Sequence, residues 1–408
     1  MRAFIGKHRK QNMKKNNNKL RSLLTVFLLT AFLLIAPFSV LAVEKFVPSG
    51  SNSFMYPGEP VPKDEMRVTI FGSGYGYVRS DQADQSIYVE LGNGDTFVFD
   101  LGEGSEANYM TMQVPYSKMT NLFITHLHMD HLGSLPHLYT FGPSADRWTP
   151  MNIYGSSGDT PELGTKYMID GLKRFTNWHV TSFNGIAVPE SDGYKINVHE
   201  FDYKLNPGIA YDKNGVVIKH FPVAHSIDGG VGYRLEWNDL CVVVASDTRP
   251  TRFYYENSQN CDIVMHEAGP DPKVFAETMG VTEERANSMI ASSHTLPVAL
   301  GKLFSLTKPR LAVATHLLVN TNTVLPTVDG IRKYYDGPLA IAQDFMVLNV
   351  SKDKITQRVG IGSGSPWVHT EAKRKGKPKY RKDNLNSDFI LKSVIPACKD
   401  AKGGEGCY

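Results

Sequence analysis

Cysteine is scarce in this chain, with four residues in 408, and none of the four stands in the C-x-x-C spacing that thiolate metal sites use. A thiolate-bound metal is therefore excluded. Charge of one sign is missing as well, since 44 Lys plus Arg nearly balance 41 Asp plus Glu. The +3 excess comes from the ends. Residues 1–42 hold eight basic residues and no acid, residues 366–408 hold ten basic and five acidic, and residues 43–365 hold 26 basic against 36 acidic, a net −10. Non-specific nucleic-acid affinity is built from many Lys and Arg contacts to phosphate, so an acidic body is a poor polyanion binder and no nucleic acid is expected as a partner. No internal repeat is present. Gly72-Ser73-Gly74-Tyr75-Gly76 lacks both the spacing and the following Lys-Ser or Lys-Thr of a nucleotide loop. What remains, with 41% hydrophobic residues, is enough for one or two packed domains.

The apolar run Leu23 to Ala36 falls short of the roughly 20 residues a spanning helix needs. Basic residues precede it, and Pro37 and Val40-Leu41-Ala42 follow it, the order of a secretory signal peptide cleaved after Ala42. Read on through Val43, the same stretch could stay as an uncleaved anchor, the only membrane contact expected. The protein is then periplasmic or secreted, where disulfides are permitted. Cys241 and Cys261 each begin an apolar strand-like run, so adjacent strands would bring them into range. Two plain buried thiols read equally well. Cys398 and Cys407 would close a small loop in the tail.

Residues 43–65 are rich in Pro, Ser and Gly and read as an extended lead-in; a folded domain spans 66–352; residues 366–408 read as a solvated basic tail. Within the domain, short β-type runs lie at 67–71, 86–91, 96–101, 121–125, 216–221, 232–237, 240–246, 262–265, 310–315 and 345–350. Helical patterns fall at 160–174, 282–291, 296–306 and 328–335. Hairpin-like strands first, then alternating strands and helices, imply an α/β architecture of mixed sheets with helices outside.

The decisive segment is His126-Leu127-His128-Met129-Asp130-His131, directly after the apolar run Leu122-Phe123-Ile124. Four potential metal ligands occupy six positions, in a chain with only 13 His. On an extended chain alternate side chains share a face, so His126 and His128 can point together, and a turn lets Asp130 and His131 aim at a second point. Further candidates stand where apolar runs end: His225, Asp247 after Val242-Val243-Val244-Ala245-Ser246, and His316 after Leu311-Ala312-Val313-Ala314-Thr315. Polar residues ending buried strands sit at the rim of a sheet, where ligands gather.

In this order, the cluster and the later His, Asp and His resemble the metallo-β-lactamase fold superfamily. Phe99-Asp100-Leu101-Gly102, Ser246-Asp247-Thr248-Arg249-Pro250, His266-Glu267-Ala268 and Ser293-His294-Thr295 look like its tRNase Z and arylsulfatase-like branch. The resemblance covers about Arg67 to Val350. It implies a four-layer αββα sandwich and two zinc ions, with manganese or iron as alternatives. His126, His128 and His225 would hold one ion, Asp130, His131 and His316 the other, and Asp247 would bridge them. Asp130 would orient or deprotonate the nucleophile. His294 would protonate the leaving oxygen, with His266 orienting it and Glu267 assisting.

Two departures qualify the likeness. Enzymes of this branch that mature tRNA carry a protruding arm, in one subgroup between the third His and the bridging Asp; His225 to Asp247 has room for one hairpin, so tRNA processing is not expected. Met129 stands where a small residue is usual and would narrow the site. Aromatic residues of the insert, Trp148, Tyr154, Tyr167, Phe175, Trp178 and Phe183, would line a substrate pocket or simply pack a core. The expected function is an exported metallo-hydrolase acting on a small anionic phosphoester or sulfate ester, with a homodimer compatible. A lactonase or β-lactamase, or a secreted metal-binding protein without catalysis, are the alternatives; the first lacks a use for His294, and the second for a complete ligand set.

Overall fold

The computed structural model describes residues 53–76, 79–244, 247–365, 367–381 and 385–391. The signal segment 1–42, the start of the lead-in, and Cys398 and Cys407 lie outside the described residues. No described helix is long and apolar enough to cross a membrane.

Two mixed sheets pack face to face. The first runs, edge to edge, β1 (Phe54–Met55), β16 (Ile355–Gly360), β15 (Met346–Val350), β2 (Met66–Gly72), β3 (Ser86–Leu91), β4 (Thr96–Phe99), β5 (Asn121–Phe123), β6 (Met151–Ser156) and β7 (Ile196–Phe201). The second runs β14 (Leu339–Ile341), β13 (Leu311–Thr315), β12 (Ile263–Glu267), β11 (Leu240–Val244), β10 (Val231–Trp237), β9 (Val216–Pro222) and β8 (Gly208–Lys213). In both, an antiparallel meander (β2–β3–β4; β9–β10–β11) continues into parallel strands (β4 to β7; β11 to β14). The central strands β4, β11, β12 and β13 are almost wholly buried on both faces and so read as unbroken apolar runs rather than alternating ones.

The core between the sheets joins Val68, Ile70, Phe97, Phe99 and Phe123 to Ile218, Tyr233, Leu235, Val242, Met265 and Val313. Each sheet's outer face carries helices. Tyr109, Leu135, Leu138 and Ile169 cover Val98, Leu122 and Ile153, while Tyr254, Leu300, Phe304 and Ile331 cover Val243, Val264 and Ala312. This is the expected αββα sandwich. Each such side chain contributes roughly 1.5–3 kcal/mol by leaving water.

All ten expected strands are present, and six more among the described residues extend the sheets at or near their edges. β7 and β8 are half exposed and rich in polar residues, with no fully buried residue in β7 and no regular alternation in β8, which is why their sequences carry no clear strand signal. The helix expected from residue 160 starts at Thr165, because Pro161–Leu163 forms a separate 3-10 turn, and it runs on to Phe183. The helix expected from Val328 starts at Thr321, where Asn320 and Thr323 form a capping box. The lead-in contributes β1, parallel to β16. The basic stretch after Gly360 is largely exposed but tied to the body, with Arg374 over the Trp148 ring at 4.3 Å. Cys241 and Cys261 form a disulfide joining β11 to the start of β12, with Cα atoms 4.9 Å apart.

Candidate metal centre

Side chains from both sheets meet where the parallel strands end. β4 delivers Asp100, the turn after β5 delivers His126 to His131, and β12 and β13 end at Glu267 and His316. Asp100 organises the first of these groups. Its carboxylate accepts from the Thr125 amide (2.8 Å), the Thr125 hydroxyl (2.7 Å) and His131 Nδ1 (2.7 Å). With Nδ1 donating, His131 turns the lone pair of Nε2 toward the centre, the arrangement by which a carboxylate fixes a metal-binding imidazole. That Nε2 is buried and faces Asp247 Oδ1 at 3.4 Å.

Gly102 lets the loop close. A Cβ there would stand 2.2 Å from the Asp130 carbonyl oxygen and 2.6 Å from the Asp84 carbonyl carbon, so only glycine fits.

The seven expected ligands gather in two overlapping groups, His126, His128, His225 and Asp247, and Asp130, His131, Asp247 and His316. Within each group the ligand atoms lie within 4.8 Å of one another. In the first, His126 Nε2 is 3.0 Å and His225 Nε2 3.3 Å from His128 Nδ1. His225 Nδ1 donates to the Ser293 carbonyl at 2.9 Å, which leaves its Nε2 as an acceptor. In the second, His316 Nε2 is 3.2 Å from Asp130 Oδ2, and His131 Nε2 is 3.7 Å from it. Asp247 divides its oxygens between them. Oδ2 faces His126 and His225 at 3.9 and 3.7 Å, and Oδ1 faces His131 and His316 at 3.4 and 3.2 Å. Imidazole nitrogens and carboxylate oxygens converging on two neighbouring points fit a cation in each group.

The electrostatics agree. Burial works against the charge of His131, but the carboxylates of Asp247 and Asp100 outweigh it and hold its pKa well above the ordinary value. Burial also works against ionised Asp130, yet the His316 hydrogen bond and the His131 charge hold it below the usual carboxylate range. His126 is pushed the other way, well below its ordinary value, by burial and by its neighbour His131.

One expected role changes hands. Neighbouring residues of a strand face opposite sides, so on β12 Glu267 points to the centre and His266 points away. Glu267 Oε2 accepts from His294 Nδ1 at 2.9 Å, and Oε1 accepts from the Thr248 amide at 2.7 Å. His266 instead lies buried against the Tyr254 ring, 4.4 Å away, with Nδ1 bonded to the Glu267 carbonyl. It does not orient His294; Glu267 does. Burial lowers the pKa of His294, but the facing Glu267 carboxylate more than reverses this and raises it to about 9. The residue is therefore protonated near neutrality, with its ring 5.1 Å from that of His225.

Two residues of the centre escaped the sequence reading. Asp100 was visible only as part of a motif. Asp84, buried beside Gly102, is pushed up to about 6 by burial and by Asp130. Met129 is 66% exposed on the turn. Arg249 is exposed and shares a cleft of about 450 Å³ with His294. A smaller cavity, about 190 Å³, runs from His294 and His316 to Tyr75, Phe275 and Met289. The insert aromatics do not line the centre: Tyr154 stacks on Phe123 in the core, Trp148 lies under Arg374, and Tyr167, Phe175 and Trp178 face solvent.

The family described as Anti-Pycsar protein Apyc1 matches residues 66–277, just over half of the chain and most of the ligand set. The chain belongs to the Anti-Pycsar protein Apyc1 family. Its similarity extends to ribonuclease Z of Archaeoglobus fulgidus, 24% identical over 319 residues, 71% of this chain and 99% of that protein. The metallo-β-lactamase fold protein YhfI from Bacillus subtilis superposes with a TM-score of 0.52 at 16% identity, over 70% of this chain and 100% of that one. Human tRNase Z, short form, does so at 0.51 and 20% identity, over 69% and 98%. This Apyc1-family chain thus has the metallo-β-lactamase fold and is a metal-dependent hydrolase of the tRNase Z-like branch. The same relatives correct one expectation. Their names are those of ribonucleases, so the exclusion of nucleic acid as a partner does not stand. The net charge of the body misled because it averages over the whole surface, whereas cations at a metal centre bind phosphate whatever the distant charges are.

Proposed function

We propose that the chain is a dinuclear phosphodiesterase that cleaves phosphodiester bonds of the ribonucleotide type, RNA included. The observation that carries this reading is the split of Asp247, one oxygen to each ligand group. Zinc at both positions, with manganese or iron as alternatives, would supply a water acidic enough to attack at neutral pH and a Lewis acid for the phosphoryl oxygen. The residues do the rest. Asp130, partly exposed at the rim and held ionised, accepts a hydrogen bond from the attacking water and orients it. His294 donates its proton to the leaving oxygen, and Glu267 holds the imidazolium in place and in charge. Arg249, exposed across the cleft from His294, is placed to meet the phosphate of a longer substrate.

Export goes with this reading. The N-terminal order of basic residues, apolar run and Ala42 supports it, and so does a body disulfide between Cys241 and Cys261, which persists in oxidising compartments.

The test is hydrolysis of bis(4-nitrophenyl) phosphate, 4-nitrophenyl sulfate, a chromogenic β-lactam and a short RNA side by side, with metal content measured on the same sample. Chelator-sensitive turnover of the diester and the RNA, with two ions per chain, is expected. Turnover of the sulfate or the β-lactam alone would sink the reading.

A further inference from the structure

The helix Thr165–Phe183 buries Ile169, Leu172 and Thr176 on the side of the first sheet, and no element among the described residues covers its other face. On that face Phe175 is 79% exposed, Trp178 81% and Tyr167 53%. Single exposed aromatics are ordinary, but three along one helix form a patch, and such patches mark interaction sites. Gly171, between them, has open space where a Cβ would stand, so the surface is shallow. The exposed side of the helix also carries Lys173 and Arg174, with Asp170 as an acid, and Lys166, whose amine pairs with Glu200 at 3.8 Å.

A second basic element lies beside the C-terminal end of this helix. The Arg381 amide donates to the Gly185 carbonyl at 2.6 Å, and the Glu190 amide to the Lys379 carbonyl at 2.8 Å. These bonds hold the late chain along residues 185–190, which follow the helix directly. From Lys373 to Arg381, six of nine residues are Lys or Arg and none is acidic. Tyr380 among them is 55% exposed.

We propose that this face, the helix Thr165–Phe183 with the basic stretch 373–381, docks on a membrane surface carrying anionic lipid head groups. Aromatic rings along a helix lying flat can enter the head-group layer together, which is where Trp and Tyr settle and where a Phe ring leaves water. The flanking cations meet the anionic surface within a Debye length. The N-terminal sequence, with its basic residues ahead of an apolar run, suits a chain that works beside a membrane. The inference stands apart from the reading of the metal centre.

The experiment uses the full chain with vesicles of phosphatidylcholine alone or with 30% phosphatidylglycerol, both also prepared with brominated acyl chains. Residues 1–52 contain no Trp, so quenching of Trp emission reports on the body and not on the N-terminus. Quenching by the anionic vesicles is expected, with binding at least tenfold tighter than to neutral ones. In a Trp367→Phe background, which removes the other highly exposed Trp, the Trp178→Phe variant loses the quenching, and the Phe175→Ser/Trp178→Ser variant loses the body's contact while hydrolysing bis(4-nitrophenyl) phosphate like the wild type. Quenching that persists in Trp178→Phe, or equal quenching by neutral vesicles, overturns the proposal. So does an outcome in which labelled single-stranded RNA, and not vesicles, loses binding in the double variant; that result would assign the face to nucleic acid.

Discussion

The two halves of the metal centre are built differently. In the half formed by Asp130, His131 and His316 both imidazoles are buried, Asp130 stands at the rim, and the key imidazole is fixed by a carboxylate, Asp100. In the half formed by His126, His128 and His225, His126 is buried but His128 is exposed, so this half opens toward solvent at one ligand. Its imidazoles are oriented by weaker partners, the Thr125 hydroxyl and the Ser293 carbonyl. A carboxylate partner raises the basicity of the ligand it holds, and burial slows exchange with water. On the reading proposed above, the inner half, that of His131, would be the anchor and the outer half the exchangeable one, with Asp247 common to both groups.

That contrast can be broken first at Asp247. Asp247→Ala is expected to lower metal content from two ions per chain to one or none and to abolish turnover, a larger loss than any acid or base variant gives. Retention of both ions and full rate would refute the bridging role. His294→Ala comes next. It should lower the rate for a poor leaving group by about 10² to 10⁴-fold and spare 4-nitrophenolate esters, whose leaving oxygen needs no proton. The acid must be protonated to act, so with pKa about 9 the wild-type rate on the poor substrate falls as pH rises through that value. In His294→Ala this alkaline limb should vanish, which a pH–rate profile would show.

Asp100→Asn sharpens the contrast itself. It should weaken the inner ion by about 10–100-fold while leaving the outer ion's affinity close to the wild type's. A chelator titration followed by metal analysis measures both, and equal weakening of the two would erase the distinction. In the wild type the same titration should remove the outer ion first. The smallest effect belongs to Met129→Gly. Its side chain is mostly in water, so stability should change by no more than about 0.5 kcal/mol, read by thermal unfolding.

The sequence made much of this centre legible, because ligands packed into six positions, and ligands ending apolar strands, leave a pattern no core requires. The central strands were legible for the same reason, as unbroken apolar runs. What escaped depends on tertiary placement. Which of His266 and Glu267 faces the centre is decided by the register of β12 against β13, where they pair with Ala314 and Thr315, and no local property of the two residues carries it. Asp100 becomes a partner of His131 only when β4 and β5 lie side by side. The insert aromatics read from sequence as pocket or core, whereas Phe175 and Trp178 are exposed and belong to neither, since a helical period does not tell which face meets the sheet.

Gly102 has a consequence for how this protein can evolve. It binds nothing, yet every other amino acid would bring a carbon against the backbone of Asp130 and Asp84. A saturation scan scored for hydrolysis should leave position 102 as bare of survivors as the ligand positions themselves. Any descendant that gains a new substrate must do so without altering it, so variation is steered into the loops around the centre and away from the turn that shapes it.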